Sequence, residues 1–133
     1  AVFSATAFDF DGDGTTDIAS VVPSQNRVRV CLGNGQSGCR TTVLLATEQN
    51  PAYAVVADFN GDTKMDLAVS NRTSKSVSIF VNNAGVFATP LNVSTGTTTA
   101  YWIAAGDFDK DGKMDIVVAD QATGIVVLKN ISS

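Results

Sequence analysis

The 133 residues fit one domain of ordinary size, and 44% hydrophobic against 17% charged residues is enough apolar material for a packed core. The absence of histidine excludes a Ser-His-Asp triad, a Cys-His pair and any histidine-held zinc or haem within these residues. A net charge of −4 and a pI near 4.5 argue against a nucleic-acid partner, and no apolar run reaches the roughly 18–20 residues of a membrane span, so neither nucleic-acid binding nor membrane insertion is expected.

No leader-like stretch is visible, and the opening on Ala1 rather than Met points to a processed or excised segment. Val2 to Phe8 is a short apolar stretch that reads as a strand, followed by the acidic cluster Asp9, Asp11, Asp13, Asp17. Ile18 to Val22 is nearly continuous in apolar residues and suits a strand buried on both faces. Arg27-Val28-Arg29-Val30 alternates and suits a strand with one wetter face; Gly33-Asn34-Gly35 reads as a hairpin turn, and Thr41 to Ala46 as a fourth strand. The order then recurs: Tyr53 to Ala57, acids at Asp58, Asp62 and Asp66, strands at Leu67 to Val69 and Ser76 to Ile79, a turn at Asn82-Asn83-Ala84-Gly85 and a fourth strand over Val86 to Val93. It recurs again with Tyr101 to Ala105, the cluster Asp107, Asp109, Asp111, Asp115, then Ile116 to Ala119 and Gly124 to Leu128. No helix-period pattern with caps occurs.

Asp9, Asp58 and Asp107 stand 49 residues apart. From the first Asp onward, DFNGDTKMDLAV and DFDKDGKMDIVV agree at seven of twelve positions, and DFDGDGTTDIAS follows the same plan. A fixed period in the 20–50 range marks repeat architectures, and four antiparallel strands per period is the arithmetic of a β-propeller blade. The expectation is an all-β chain of about three four-stranded antiparallel blades, in repeats 1–49, 50–98 and 99–133, the last incomplete. A β-sandwich of about eleven strands is the alternative, but it has no need of an equal period. Three blades cannot close a ring, and the outer faces of the end blades are then exposed apolar surface. The ring is expected to close by assembly, with a homodimer favoured, or to belong to a longer propeller.

Eleven of the thirteen acids lie in the three clusters, in the pattern D-x-[DN]-x-D-x-x-x-D. Alternate side chains of a tight loop converge, and hard oxygen donors at this density suit Ca²⁺ better than Mg²⁺. The expected ligands are Asp9, Asp11, Asp13 and Asp17; Asp58, Asn60, Asp62 and Asp66; and Asp107, Asp109, Asp111 and Asp115, with the position-7 carbonyls of Thr15, Lys64 and Lys113. Position 12 holds Ser20, Val69 and Val118 rather than Glu, and the flanks are strands, so these are not EF-hands. Three calcium sites follow, the second weakest because Asn60 replaces a carboxylate and Thr63 stands where the others have Gly14 and Gly112. The competing explanation, that Asp, Asn and Gly only make turns, is disfavoured by three copies in register. The expected role of the ion is structural: it pins the turn between the first two strands of each blade.

These loops resemble those of the FG-GAP/VCBS repeats of integrin-α-like β-propellers, whose D-x-D-x-D-G-x-x-D motif joins the first two strands of a blade. The match falls on Asp9–Asp17, Asp58–Asp66 and Asp107–Asp115, with departures at Asn60 and Thr63. The resemblance implies a calcium-stabilised propeller, secreted or on the cell surface, in a family that includes adhesins, lectins and domains appended to polysaccharide-degrading enzymes.

Cys31 and Cys39 flank the first blade's hairpin and are expected to form a disulfide. Tyr53 and Trp102 hold the same repeat position, where the first repeat has Ser4; with Tyr101 they are candidates for a sugar-stacking platform, against the competing role of packing between blades. Phe8, Phe10, Phe59 and Phe108 are assigned to the blade core. Asn71-Arg-Thr, Asn92-Val-Ser and Asn130-Ile-Ser match the glycosylation acceptor pattern, which chance often supplies. The functional expectation is a non-enzymatic extracellular binding module, lectin-like with glycan sites between blades; the alternative is a structural or adhesion fragment that binds no sugar.

Overall fold

The computed structural model describes residues 1–96, 99–121 and 124–132. Strands β1 (Ser4–Phe8), β2 (Asp17–Val22), β3 (Arg27–Gly33) and β4 (Cys39–Ala46) pair in sequence order as an antiparallel meander. Runs rich in Val, Ile and Thr favour this pleated, half-buried backbone. A 3-10 turn at Pro23–Gln25 links β2 to β3 and ends on Asn26 in the left-handed region. The second sheet holds β5 (Pro51–Ala57), β6 (Asp66–Asn71) and β7 (Ser76–Phe80); a small hairpin, β8 (Asn82–Asn83) with β9 (Val86–Phe87), comes before the outer strand β10 (Leu91–Ser94). The third sheet is β11 (Trp102–Gly106), β12 (Asp115–Asp120) and β13 (Gly124–Leu128). Each sheet is a propeller blade, and the blades share one register: Ile18 faces Cys31, Leu67 faces Phe80 and Ile116 faces Leu128.

The expected single strand over Val86 to Val93 is broken in two. Ala84 and Gly85 both take positive φ, 51° and 83°, which makes a two-residue turn of the primed kind and folds Val86–Phe87 back on Asn82–Asn83. Pro90, which has no N–H to give a ladder, separates this hairpin from Leu91–Ser94. Among the described residues nothing pairs with the far edge of β13, where the other blades carry β4 and β10.

The inner strands β1, β5 and β11 lie side by side, and the cores sit between successive blades. Between blades one and two, Phe10, Val21, Val28, Val30 and Leu32 meet Leu67, Val69 and Phe80. Between blades two and three, Phe59, Ala68 and Val77 meet Ile116 and Val118, with Leu128 against them. Phe10 and Phe59 are thus core residues, 3% and 8% exposed. Phe108 is not: it holds the same loop position but is 54% exposed, because the ring at this position packs into the following blade and no described blade follows the third. Phe8 also lies outside the core, 38% exposed and edge-on to Phe10.

Candidate metal centre and aromatic rim

Each acidic loop is organised by its own carboxylates before any ion is considered. The first Asp accepts backbone N–H groups from the turn it opens. Asp9 Oδ1 takes Gly12 N and Asp13 N, and its Oδ2 takes Gly14 N at 2.9 Å. Asp58 does the same with Gly61, Asp62 and Thr63, and Asp107 with Asp111 and Gly112. The position-5 carboxylates of Asp13, Asp62 and Asp111 accept the N–H of Thr15, Lys64 and Lys113, which sets the position-7 residues in the loop. Positions 4 and 6 both need positive φ: Gly12 and Gly14, Gly61 and Thr63, Lys110 and Gly112. Thr63 at φ 70° is therefore a β-branched residue in the left-handed region, a strained conformation that the other two loops avoid with glycine.

The last Asp of each loop is buried and used twice. Asp17 accepts Phe10 N and Gly33 N, Asp66 accepts Phe59 N and Asn82 N, and Asp115 accepts Phe108 N and Asn130 N, all at 2.7–3.1 Å. These carboxylates staple the loop to the end of the blade's third strand. Burial pushes the Asp66 carboxyl above its ordinary pKa; the N–H groups of Asn82 and Phe59 oppose the shift, and the charges of Asp62 and Asp58 add to it.

The ligating atoms come together unequally. Carboxylate oxygens of Asp9, Asp11 and Asp17 lie within 4.8 Å of one another, as do those of Asp107, Asp109 and Asp111. Among the described residues no such group of three forms in the second loop, where Asn60 donates to Asp62 instead. Basic side chains meet the first and third loops. Arg40 pairs with Asp11 and lies 3.4 Å from Asp13, and Lys129 pairs with Asp109. The hydrogen bond from Lys129 holds Asp109 below the ordinary carboxylate range, and Asp109 in turn raises Lys129. The Thr15 hydroxyl and then its N–H lower Asp13. Loop one is also sheltered by blade two: a Cβ on Gly85 would stand 2.9 Å from the Asp11 Cβ.

The expected aromatic residues meet at the opposite end of the inner strands. Five residues of strand separate Tyr53 from Asp58, about 17 Å of extended chain. Trp102 stacks on Tyr53 with ring centroids 3.9 Å apart, and Tyr101 lies against both. Phe3 packs edge-on to Tyr53 and Tyr101, and the Arg72 guanidinium sits 4.4 Å above the Tyr101 ring. Trp102 remains 56% exposed, so it both packs between blades and offers a face to solvent. Cys31 and Cys39 are joined as a disulfide with Cα atoms 5.2 Å apart. Of the acceptor patterns, Asn71 is buried with its amide on Ser76 and Ser78.

Four participants carry no obvious sequence signal of their own: Arg40, Lys129, Phe3 and Arg72. Two more carry one that extends past the acidic motif. The Asn82 amide donates to Phe10 O and Met65 O, and the Asn130 amide donates to Phe59 O and Met114 O. Each asparagine thus latches its blade to the loop of the blade before. They stand 16 and 15 residues after the last loop Asp, at the position where blade one has Gly33.

A profile of the FG-GAP-like repeat matches residues 9–69 and again 64–118, which together span most of the chain. The chain belongs to the FG-GAP-like repeat family. Among curated proteins none matches its sequence. Among solved structures, a chain of the Photorhabdus luminescens Tc holotoxin pore is similar in fold at a TM-score of 0.59 and 21% identity; the match covers 92% of this chain and 6% of that one. This FG-GAP-like chain therefore corresponds in extent to a small part of a much larger protein. No helix among its described residues is long and apolar enough to cross a membrane.

Proposed function

We propose that the chain is a calcium-stabilised extracellular binding module that presents a carbohydrate site on its aromatic rim. The observation that carries the metal reading is the convergence of three carboxylates within 4.8 Å in loops one and three, on a backbone already shaped by Asx turns. The donor set fits a hard divalent ion: Asp9, Asp11, Asp13 and Asp17, or Asp107, Asp109, Asp111 and Asp115, with the Thr15 or Lys113 carbonyl. Calcium would supply neutralisation of carboxylates that otherwise repel one another or borrow Arg40 and Lys129. Loop two, with Asn60 and a strained Thr63, is the weakest of three sites in this reading. The repeats of this family support a place outside the cell, where calcium is abundant.

Support for a sugar ligand is the exposed Trp102 face backed by Tyr53, with Arg72 beside Tyr101. The reading assigns no chemical step to the chain, which offers no histidine and keeps its paired carboxylates in the acidic loops. A second reading, a structural or adhesion fragment without sugar binding, is favoured by the exposed Phe108, Ile125 and Val127 on blade three.

Thermal melts with excess Ca²⁺ and with EGTA test the metal. A raised Tm in calcium, reduced by Asp107→Asn and less affected by Asp58→Asn, is expected; coincident melts refute it. A glycan array with wild type and Trp102→Ala tests the sugar. Binding lost in the variant supports the first reading, and a blank array with a normal calcium response leaves the second.

A further inference from the structure

A basic side chain accompanies the position-3 carboxylate of an acidic loop and is missing where that carboxylate is missing. Asp11 pairs with Arg40, and Asp109 pairs with Lys129. In loop two the position is Asn60, and among the described residues no ion pair joins that loop. Its own Lys64 donates to the Asn83 side chain instead. The two cations do not come from one repeat position. Ile18 faces Cys31 and Ile116 faces Leu128, so Lys129 corresponds to Leu32 at the end of the third strand, whereas Arg40 stands on the fourth. The repeat does not dictate them; what they share is charge and the carboxylate they meet.

Arg40 is the better held of the two. Leu32 pairs with Thr41 and Gly33 with Cys39, which leaves Arg40 as the extra residue of a β-bulge in β4. A bulge re-aims a side chain, and the disulfide from Cys39 to Cys31 ties this one to β3. The guanidinium reaches two carboxylates of loop one, Asp11 and, at 3.4 Å, Asp13. The Asp11 side chain is only 9% exposed, with Gly85 of blade two close to its Cβ. Its carboxylate is also one of the three that converge within 4.8 Å, so Arg40 and a metal ion would claim the same group. Lys129, with a side chain 56% exposed, pairs with one carboxylate rather than two. A planar guanidinium fork matches carboxylates in a fixed geometry, while an ammonium on a flexible stem is a point charge.

We propose that Arg40 is a tethered counter-ion that stands in for calcium in loop one, holding the metal-free loop and setting its calcium affinity below that of loop three. Whatever the ion pair contributes to the metal-free loop is subtracted from calcium binding, because the ion must displace the guanidinium. The assignment rests on the calcium reading of these loops and adds the residue that grades two sites of equal carboxylate number.

The test follows the amide signals of Gly14 and Gly112 by NMR while the 133-residue chain is titrated with calcium. Each glycine donates to the first Asp of its own loop and so reports on that loop. In the wild type, Gly112 should respond at lower calcium than Gly14. Arg40→Gln should bring the Gly14 midpoint down by about fivefold, the equilibrium worth of one partly exposed ion pair, and leave the Gly112 midpoint in place. Arg40→Lys, which keeps the charge and loses the fork, should fall between. A metal-free readout runs beside the titration: in EGTA, Arg40→Gln should lower Tm in the wild type and much less in Asp11→Asn. A Gly14 midpoint that stays or rises in Arg40→Gln while Gly112 responds overturns the proposal and spares the calcium reading. So does a wild type in which Gly14 responds first, or an equal loss of Tm in both backgrounds. Silence of both glycines in wild type and variant overturns the calcium reading, and the proposal with it.

Discussion

Thr63 is the clearest residue at which sequence and backbone disagree. The loop needs a left-handed residue at this position, and glycine takes it without steric cost, as at Gly14 and Gly112. Thr63→Gly is therefore expected to stabilise the chain by about 1 kcal/mol, seen as a raised denaturation midpoint in EGTA. Asp66 makes the opposite case. Both its oxygens accept buried backbone N–H groups, so Asp66→Asn turns one acceptor into a donor and leaves an N–H unpaired. A loss of about 1–3 kcal/mol in urea titration is expected even without calcium, while Asp62→Asn at the exposed loop tip costs far less in the same buffer. If both variants lose equally, the staple role of Asp66 is wrong. The acidic pattern made these loops legible in the sequence, but it does not separate the stapling Asp66 from the exposed Asp62. That distinction depends on where Asn82 and Phe59 place their N–H groups, and this follows from the pairing of β6 with β7.

Among the elements, strand positions were readable because apolar runs and turn residues recur with the repeat. What was not readable is what each strand meets across the joint. Phe10, Phe59 and Phe108 look alike in sequence, yet the third is exposed, since the ring at this position packs into the following blade and no described blade follows the third. The break in the outer strand of blade two has a similar origin. Phe87 turns away from its own sheet to pack against Phe10, and Pro90 lets the chain leave and rejoin the ladder. The sequence reads Asn82 as part of a turn and Asn130 as part of an acceptor pattern, and their spacing from the last loop Asp does not reveal that one amide serves two carbonyls on neighbouring segments. Asn82→Ala is expected to cost about 1–3 kcal/mol, since Phe10 O and Met65 O then lose a buried donor. Hydrogen exchange localises the effect: faster exchange in the β8–β9 hairpin and in the Asp9–Asp17 loop, with the β2–β3 ladder unchanged. Uniform acceleration through blade one would show that the amide acts on global stability and not as a joint.

On the scale of the whole molecule, charge sets how stability responds to pH. Asp13 and Asp109 are held below the ordinary carboxylate range in the folded chain. Their contribution is present above the unfolded-state pKa and is lost as pH falls through the folded one. Asp66 has the opposite sign. Its folded pKa is raised, so its contribution is fully present below the unfolded value and declines as pH rises through the folded value. The metal-free chain thus carries opposing terms, and its Tm should vary gently between pH 7 and about pH 4, near the ordinary carboxylate value. Bound calcium would remove that balance, because every carboxylate that holds an ion must be deprotonated. An ion at a hundredfold excess over its Kd adds about 2.7 kcal/mol per site at neutral pH. Protons compete for the same oxygens, so the gap between the calcium and EGTA melts should be widest near pH 7 and should close toward about pH 4. Melts across this range, with each ion condition at constant ionic strength, separate the two effects. Curves that run parallel down to acid pH would mean that any bound ion is held by something other than Asp9, Asp11 and Asp17 or Asp107, Asp109 and Asp111.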